Sequence, residues 1–382
     1  MNVSAILGKI ASTGKSLENA DPGAREALIA QSRALIAALE LPSEFIQRTF
    51  WAEPAQSGIL RLAVDVKLFQ HLKDAKKGSD LSMVGVEPVI MQRLARHLVA
   101  MNVLAFNDGL FYSTPLSDAL AAENFQNSIS FCYDVARPPL NELPQYFKKN
   151  EYRDPASGEK SGLFQGAHAT DLGPFEWFIA TPPYMEYFSS FMTAYRAGKK
   201  DWFEEGFYPV SERLLSGFQG GVLLVDMGGG CGQDIETFVK IHGGRAILQD
   251  KECVIADVCA DREFETQAHD FFNPQPVLGA RAYYLHSVLH DWSDENSVRI
   301  LKNLIPALKK GYSRVLINEI VVVEEKPVLA ATSMDMMMLA FFGVRERTKR
   351  DWNNIIERAG LRISGIYNHP GVAESLIEAE LA

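Results

Sequence analysis

The sequence is poor in cysteine. Its 382 residues hold four, Cys132, Cys231, Cys253 and Cys259, with no CxxC spacing and no metal-finger pattern. So few thiols exclude a disulfide scaffold and suit a reducing compartment, so a cytoplasmic location is expected. Long apolar runs are also missing: none reaches the roughly 18 residues of a membrane span. The opening MNVSAILGKIASTGKS has neither the apolar core nor the small-residue cleavage site of a secretory signal. Nor is there an excess of positive charge, since 38 Lys and Arg stand against 48 Asp and Glu for a net charge of −10. A nucleic-acid partner is therefore not expected, because phosphate binding announces itself as a basic excess. What is present is ordinary globular composition, 47% hydrophobic and 23% charged, in a length that suggests two or three domains.

The first 120 residues have the periodicity of helices. In GAREALIAQSRALIAALELP the apolar positions recur at three- and four-residue spacings and Pro42 marks the stop. From Ser57 to Leu72 a second helical run is apolar on more than one face, which calls for burial on more than one side. A helix from about Pro88 to Met101 then leads into a short hairpin turning at Asn107-Asp108-Gly109. That order is the order of a winged-helix module, here read as a pairing or scaffolding domain. Residues 121–200 are aromatic and loop-rich, with NEYRDPASGEKSG as an insertion. Trp177, Phe188 and Met192 in this stretch read equally as core or as the wall of a pocket for a flat organic molecule. From residue 201 onward strands alternate with helices: GVLLVDM, RAILQD, a strand running through ARAYYLHSVL to His290, and RVLINEIVV. Such alternation predicts a doubly wound α/β domain over 201–382, with a parallel sheet and its ligands outside the carboxyl ends of the strands.

The sharpest local pattern is Asp226-Met227-Gly228-Gly229-Gly230-Cys231-Gly232 at one such strand end. A dinucleotide fingerprint would be G-x-G-x-x-G with pyrophosphate on the helix terminus. Here the spacing is the compact one of Gly228, Gly230 and Gly232, and an acid stands two residues before the first glycine. Asp226 repels pyrophosphate but suits a ligand's ammonium group, and Asp250, closing the next strand, can accept both ribose hydroxyls. A cationic nucleoside carrying an amino acid, S-adenosylmethionine, fits better than NAD. Asp270 and Phe271, in His269-Asp270-Phe271-Phe272, read either as an adenine contact or as an ordinary loop acid beside a core aromatic.

Further on, His290-Asp291-Trp292-Ser293-Asp294, Ile317-Asn318-Glu319, Asp335-Met336-Met337-Met338-Leu339 and Arg345-Glu346-Arg347-Thr348 follow in order. With VDMGGGCG before them, they resemble the consecutive signatures of class II O-methyltransferases, the caffeate- and flavonoid-type enzymes of plants and their fungal relatives. The resemblance implies a Rossmann-like methyltransferase domain behind an N-terminal winged-helix dimerisation domain in residues 1–120. It also implies a homodimer, a small aromatic or polyketide-like acceptor, and conversion of S-adenosylmethionine to S-adenosylhomocysteine. By position His290 resembles the base that removes a phenolic proton, with Glu319 and Glu346 as the carboxylates flanking its ring. Trp292 corresponds to a cover over the cofactor, Asp291 to a residue that caps or orients the loop beside the acceptor, and Met337 and Met338 to acceptor contacts. The plant enzymes carry a lysine on the cofactor side where this chain has His286.

Some relatives of this fold use the bound cofactor for its charge and catalyse cyclisation or pericyclic reactions, typically with the histidine or its glutamates altered. All three are intact here, which favours methyl transfer over that rival and over a catalytically silent dimeric scaffold. No metal is expected, since no carboxylate–histidine run at ligand spacing stands beside the candidate base.

Overall fold

A computed structural model describes residues 2–155, 162–256, 258 and 261–382. Cys259 and residues 156–161 of the NEYRDPASGEKSG segment lie outside the described residues. The chain divides into two compact units, Met1–Pro144 with Gln165–Gly198 and Gln145–Phe164 with Lys199–Ala382. Residues 121–144 and 165–198 of the aromatic stretch thus belong to the first unit and residues 145–164 to the second.

In the first unit the periodic run near residue 30 forms the helix Ala24–Leu39. The run expected as one helix from Ser57 to Leu72 is instead two, Glu53–Asp65 and Leu68–Asp74. Lys67 between them is left-handed, at φ 54°, which breaks the hydrogen-bond ladder. The break turns Leu68, Phe69 and Leu72 into a core shared with Met91, Ala95 and Leu98 of the helix Pro88–Ala100. Strands β1 (Ala105–Asn107) and β2 (Leu110–Tyr112) form the expected antiparallel hairpin, with Asn107 opposite Leu110. Asp108 and Gly109 both take positive φ, as a two-residue hairpin turn requires. Trp177 stacks on Tyr184 at 5.0 Å between centroids, and Phe188 lies 5.5–5.6 Å from the rings of Phe131, Phe175 and Phe178.

Among the described residues the second unit holds eight strands: β3 (Val222–Met227), β4 (Arg245–Asp250), β5 (Glu265–Ala268), β6 (Ala282–His286), β7 (Arg314–Val322), β8 (Arg347–Thr348), β9 (Leu361–Tyr367) and β10 (Glu374–Leu381). Their order is β5-β4-β3-β6-β7-β10-β9, with β8 added to β7. Strands β3 to β8 pair in parallel, and every residue of β3 is buried, as an apolar strand covered on both faces should be. The sheet departs from the expected parallel one at its far side, where β10 runs antiparallel to both β7 and β9. A connection as short as that between β9 and β10 can only reverse the chain. The strand expected to reach His290 stops at His286, because Ser287 is left-handed at φ 50° and turns the chain out of the sheet. His290 therefore sits on a short helical turn, Leu289–Asp291, rather than on a strand end.

Glu378 in β10 has no exposed side-chain surface and accepts from the Tyr208 hydroxyl at 2.7 Å, Ser364 Oγ at 2.6 Å and Arg213 Nε at 3.0 Å. Burial pushes its carboxyl upward, but the bonds from Arg213, Ser364 and Tyr208 outweigh burial and hold it below its ordinary 4.5. A carboxyl that binds its proton more weakly when folded stabilises the fold above the ordinary range, and that contribution drains away as pH falls through the folded value. E378Q is expected to lose about 3–5 kcal/mol at neutral pH, as when one partner of a buried ion pair is removed. In urea titrations the gap to the wild-type chain should narrow as the medium is acidified.

Candidate active site

The loop after β3 is shaped by its glycines. Gly228, Gly230 and Gly232 take φ of 74°, 59° and 80°, which β-carbons disfavour. Gly229 is fixed by space instead, since a Cβ there would lie 2.5 Å from Asp226 Oδ2 and from Leu248 Cδ1. Nothing stands within 4 Å of a Cβ built on Gly230, so its backbone faces open space. From the neighbouring strand the Gln249 carbonyl accepts the Gly228 N–H at 2.7 Å. Asp250 accepts the Gly230 N–H at 2.9 Å on Oδ2 and the Lys251 N–H at 2.7 Å on Oδ1. Each of these oxygens keeps a second lone pair for a ligand hydroxyl.

Phe271 borders the same loop: a Cβ on Gly228 would lie 3.6 Å from its ring and 2.9 Å from Val288. Trp292 meets Phe271 at 6.0 Å and Phe272 at 4.7 Å, both edge-on. Asp270 is exposed, and its Oδ1 accepts the Phe272 N–H at 2.9 Å. His286 Nδ1 lies 2.8 Å from Asp234 Oδ2, and that oxygen also accepts the Tyr284 hydroxyl at 2.8 Å. Asp234 is in the first turn of the helix Gln233–His242. Where the plant enzymes have lysine, this chain thus ties β6 to the start of the helix that follows the glycines. Asp226 is buried beneath Gly229, at the floor of the loop.

These residues fit S-adenosylmethionine. Backbone opens at Gly230, carboxylates stand on two adjacent strand ends, and residues 226–234 include no lysine or arginine that would hold a pyrophosphate. Asp226, Asp250 and Phe271 border the glycine loop, and Trp292 packs against Phe271.

The second half of the site surrounds His290. Its Nδ1 lies 2.9 Å from Glu346 Oε1 and 3.7 Å from Glu319 Oε2, while Nε2 faces Asp291 Oδ1 at 3.6 Å. Burial alone would push the imidazole down, but the charges of Glu319, Asp291 and Glu346 prevail and raise it to about 10. Burial also raises Asp291, to about 7, and pushes Glu319 up. Glu319 does more than flank the ring. Its Oε1 accepts the backbone N–H groups of Val288, Leu289 and His290 at 3.0, 2.8 and 3.3 Å, so it holds the turn itself. The helix Leu329–Phe342, which carries half-buried Met337 and buried Met338, abuts the His290 turn.

Arg347 has no role in the sequence reading and a clear one here. Its guanidinium, 2% exposed, donates to the carbonyls of Leu289 at 2.7 Å and Trp292 at 2.6 Å and pairs with Asp294 at 2.9 Å. Glu319 thus grips the turn by its N–H groups and Arg347 by its C=O groups, on either side of the histidine. Its one sequence signal is adjacency to Glu346 on the two-residue strand β8. R347M is expected to cut kcat about 100-fold, the order of effect that misplacing a reacting group produces, with cofactor KM unchanged. R347K should fall between the two, and thermal melts alongside the kinetics separate misplacement from unfolding.

A glycine loop with carboxylates on adjacent strand ends, joined to a histidine gripped by glutamates, defines a group-transferring enzyme of the α/β methyltransferase fold. A family model described as an O-methyltransferase domain matches residues 209–362. The chain is 58% identical to the O-methyltransferase mpaG of Penicillium roqueforti, over 100% of this chain and 99% of that protein. It is 32% identical to the demethylsterigmatocystin 6-O-methyltransferase of Aspergillus parasiticus, over 81% of each. Among solved structures, "A Pericyclic Reaction enzyme" superposes with a TM-score of 0.87 at 26% identity, over 100% of this chain and 99% of that one. The chain belongs to the O-methyltransferase family, and its cofactor is S-adenosylmethionine.

Proposed function

We propose that His290 Nε2 takes the proton from a hydroxyl of a small aromatic or polyketide-like metabolite, with Asp291, Met337 and Met338 beside the acceptor. The observation that carries this reading is the 2.9 Å bond from His290 Nδ1 to buried Glu346, which commits Nδ1 and leaves Nε2 for the acceptor. Bound S-adenosylmethionine supplies a methyl group on a sulfonium, a good leaving group. The chain's own residues do the rest: Glu346 fixes the ring's tautomer, Glu319 and Arg347 fix its place, and the carboxylates stabilise the imidazolium that forms. A phenol has a pKa of about 10, so a base held near the same value accepts its proton without a steep uphill step.

The same carboxylates keep the imidazole protonated at neutral pH in the free protein. His290 must shed that proton before it can act, so kcat/KM is expected to rise with pH above 7. A profile flat from pH 7 to 9 would contradict the assignment.

Methyl-labelled cofactor and a panel of phenolic acceptors test the reaction by mass spectrometry: a product heavier by one methyl is expected, and a rearranged product of unchanged mass would favour the pericyclic rival. We further propose that the protein is a cytoplasmic homodimer. Phe50 and Trp51 in the first unit are 63% and 67% exposed, beside exposed Leu39, Leu41, Phe45 and Ile46, an apolar surface suited to a second copy.

A further inference from the structure

Three ligand atoms from separate stretches of the chain converge at the base, one each from His290, Glu319 and Glu346, all within 4.8 Å of one another. His290 and Glu346 are 56 residues apart in the sequence and meet only in the fold. The two glutamate side chains are 1% and 0% exposed, yet Glu319 Oε2 and Glu346 Oε2 have no hydrogen-bond partner. Buried carboxylate oxygens without a donor are costly, and a cation held by the two carboxylates would offset that cost.

We propose that His290 Nδ1, Glu319 and Glu346 form a binding site for a divalent zinc-type cation, which switches the methyltransferase off by occupying its base. The geometry suits that class. Ligand atoms about 2.1 Å from a tetrahedral ion stand roughly 3.4 Å apart, and Nδ1 lies 2.9 Å from Glu346 Oε1 and 3.7 Å from Glu319 Oε2. One imidazole nitrogen and two carboxylates are a borderline donor set, whereas magnesium demands six oxygens and keeps several waters. Two carboxylates and a neutral imidazole also balance a dication's charge.

The inhibitory consequence follows from the imidazole itself and rests on the assignment of Nε2 as the proton acceptor. As the Nδ1–metal bond forms, the Nδ1 proton passes to solvent and no electron is transferred. The ring's remaining proton stays on Nε2, so the nitrogen that faces the acceptor has no lone pair to offer.

The test uses the full chain, stripped with chelator and dialysed against zinc chloride. One zinc per chain at micromolar or tighter affinity is expected, with a tetrahedral visible spectrum when Co²⁺ replaces it and no displacement by millimolar Mg²⁺. H290A and E346Q should each bind zinc about 100-fold more weakly or worse, more than loss of an outer partner costs; thermal melts verify that both are folded. Methyl transfer should stop with zinc and return with chelator, while S-adenosylmethionine binding, read by calorimetry, stays unchanged. No retained zinc, equal retention by both variants, or loss of cofactor binding on adding zinc would each overturn the site. Zinc held one to one and released by both variants, in a protein that methylates no acceptor when stripped, would uphold the metal site and count against the proposed base instead.

Discussion

His290→Ala should lower turnover by about 10²–10⁴-fold, the contribution of a positioned general base. The ring's polar neighbours are Glu346, Glu319 and Asp291, whereas the carboxylate that binds the loop amides is that of Asp250, so S-adenosylmethionine affinity is expected to remain that of the wild-type chain. Losing the imidazole also strands the buried carboxylate of Glu346, so H290N, which keeps a nitrogen near Nδ1, is the companion variant. Both should bind cofactor in calorimetry and fail in single-turnover methyl transfer. Retained turnover in H290A would show that the acceptor ionises without this residue.

Asp250→Lys is expected to abolish cofactor binding. A carboxylate that accepts both ribose hydroxyls makes two charge-assisted bonds of about 1.5–3 kcal/mol each, so their loss weakens binding by roughly 10²–10⁴-fold. Asp250 also accepts the Gly230 and Lys251 N–H groups, so its removal deforms the loop as well. D250N separates the two effects, because the amide oxygen still accepts one N–H while the charge is gone. Calorimetry should rank affinities as wild type, D250N, D250K; equal affinities would place the ribose elsewhere.

The parts of the enzyme that its sequence displays are those encoded over short stretches. The glycine run carries its positive-φ turn in its own residues, and β3, β4 and β7 each hold a short apolar stretch whose end stood out. Lys67 is harder to read, since only tertiary packing rewards a left-handed lysine between two helices. The pairing of β10 with β7 is equally non-local, as alternation of strands and helices says nothing about a strand that enters by a hairpin. Within the site, Glu319 reads from sequence as a partner for the histidine ring, and the structure shows it gripping backbone amides as well. Side-chain identity told of a carboxylate near His290 but not which donors it would meet. Arg347 resembles any surface arginine until β8 tucks it under the turn.

The place of β10 between β7 and β9 bears on how the protein is made. Of the sheet's strands it is the one synthesised last, and β9 has no direct pairing with β7 to fall back on. A ribosome must therefore translate through Leu381 before the sheet can close. Nascent chains that pause earlier carry β7 with one long edge open, a template for pairing with another chain. Slow synthesis of the residues after Arg358 should cost yield through aggregation rather than through loss of activity in the molecules that finish.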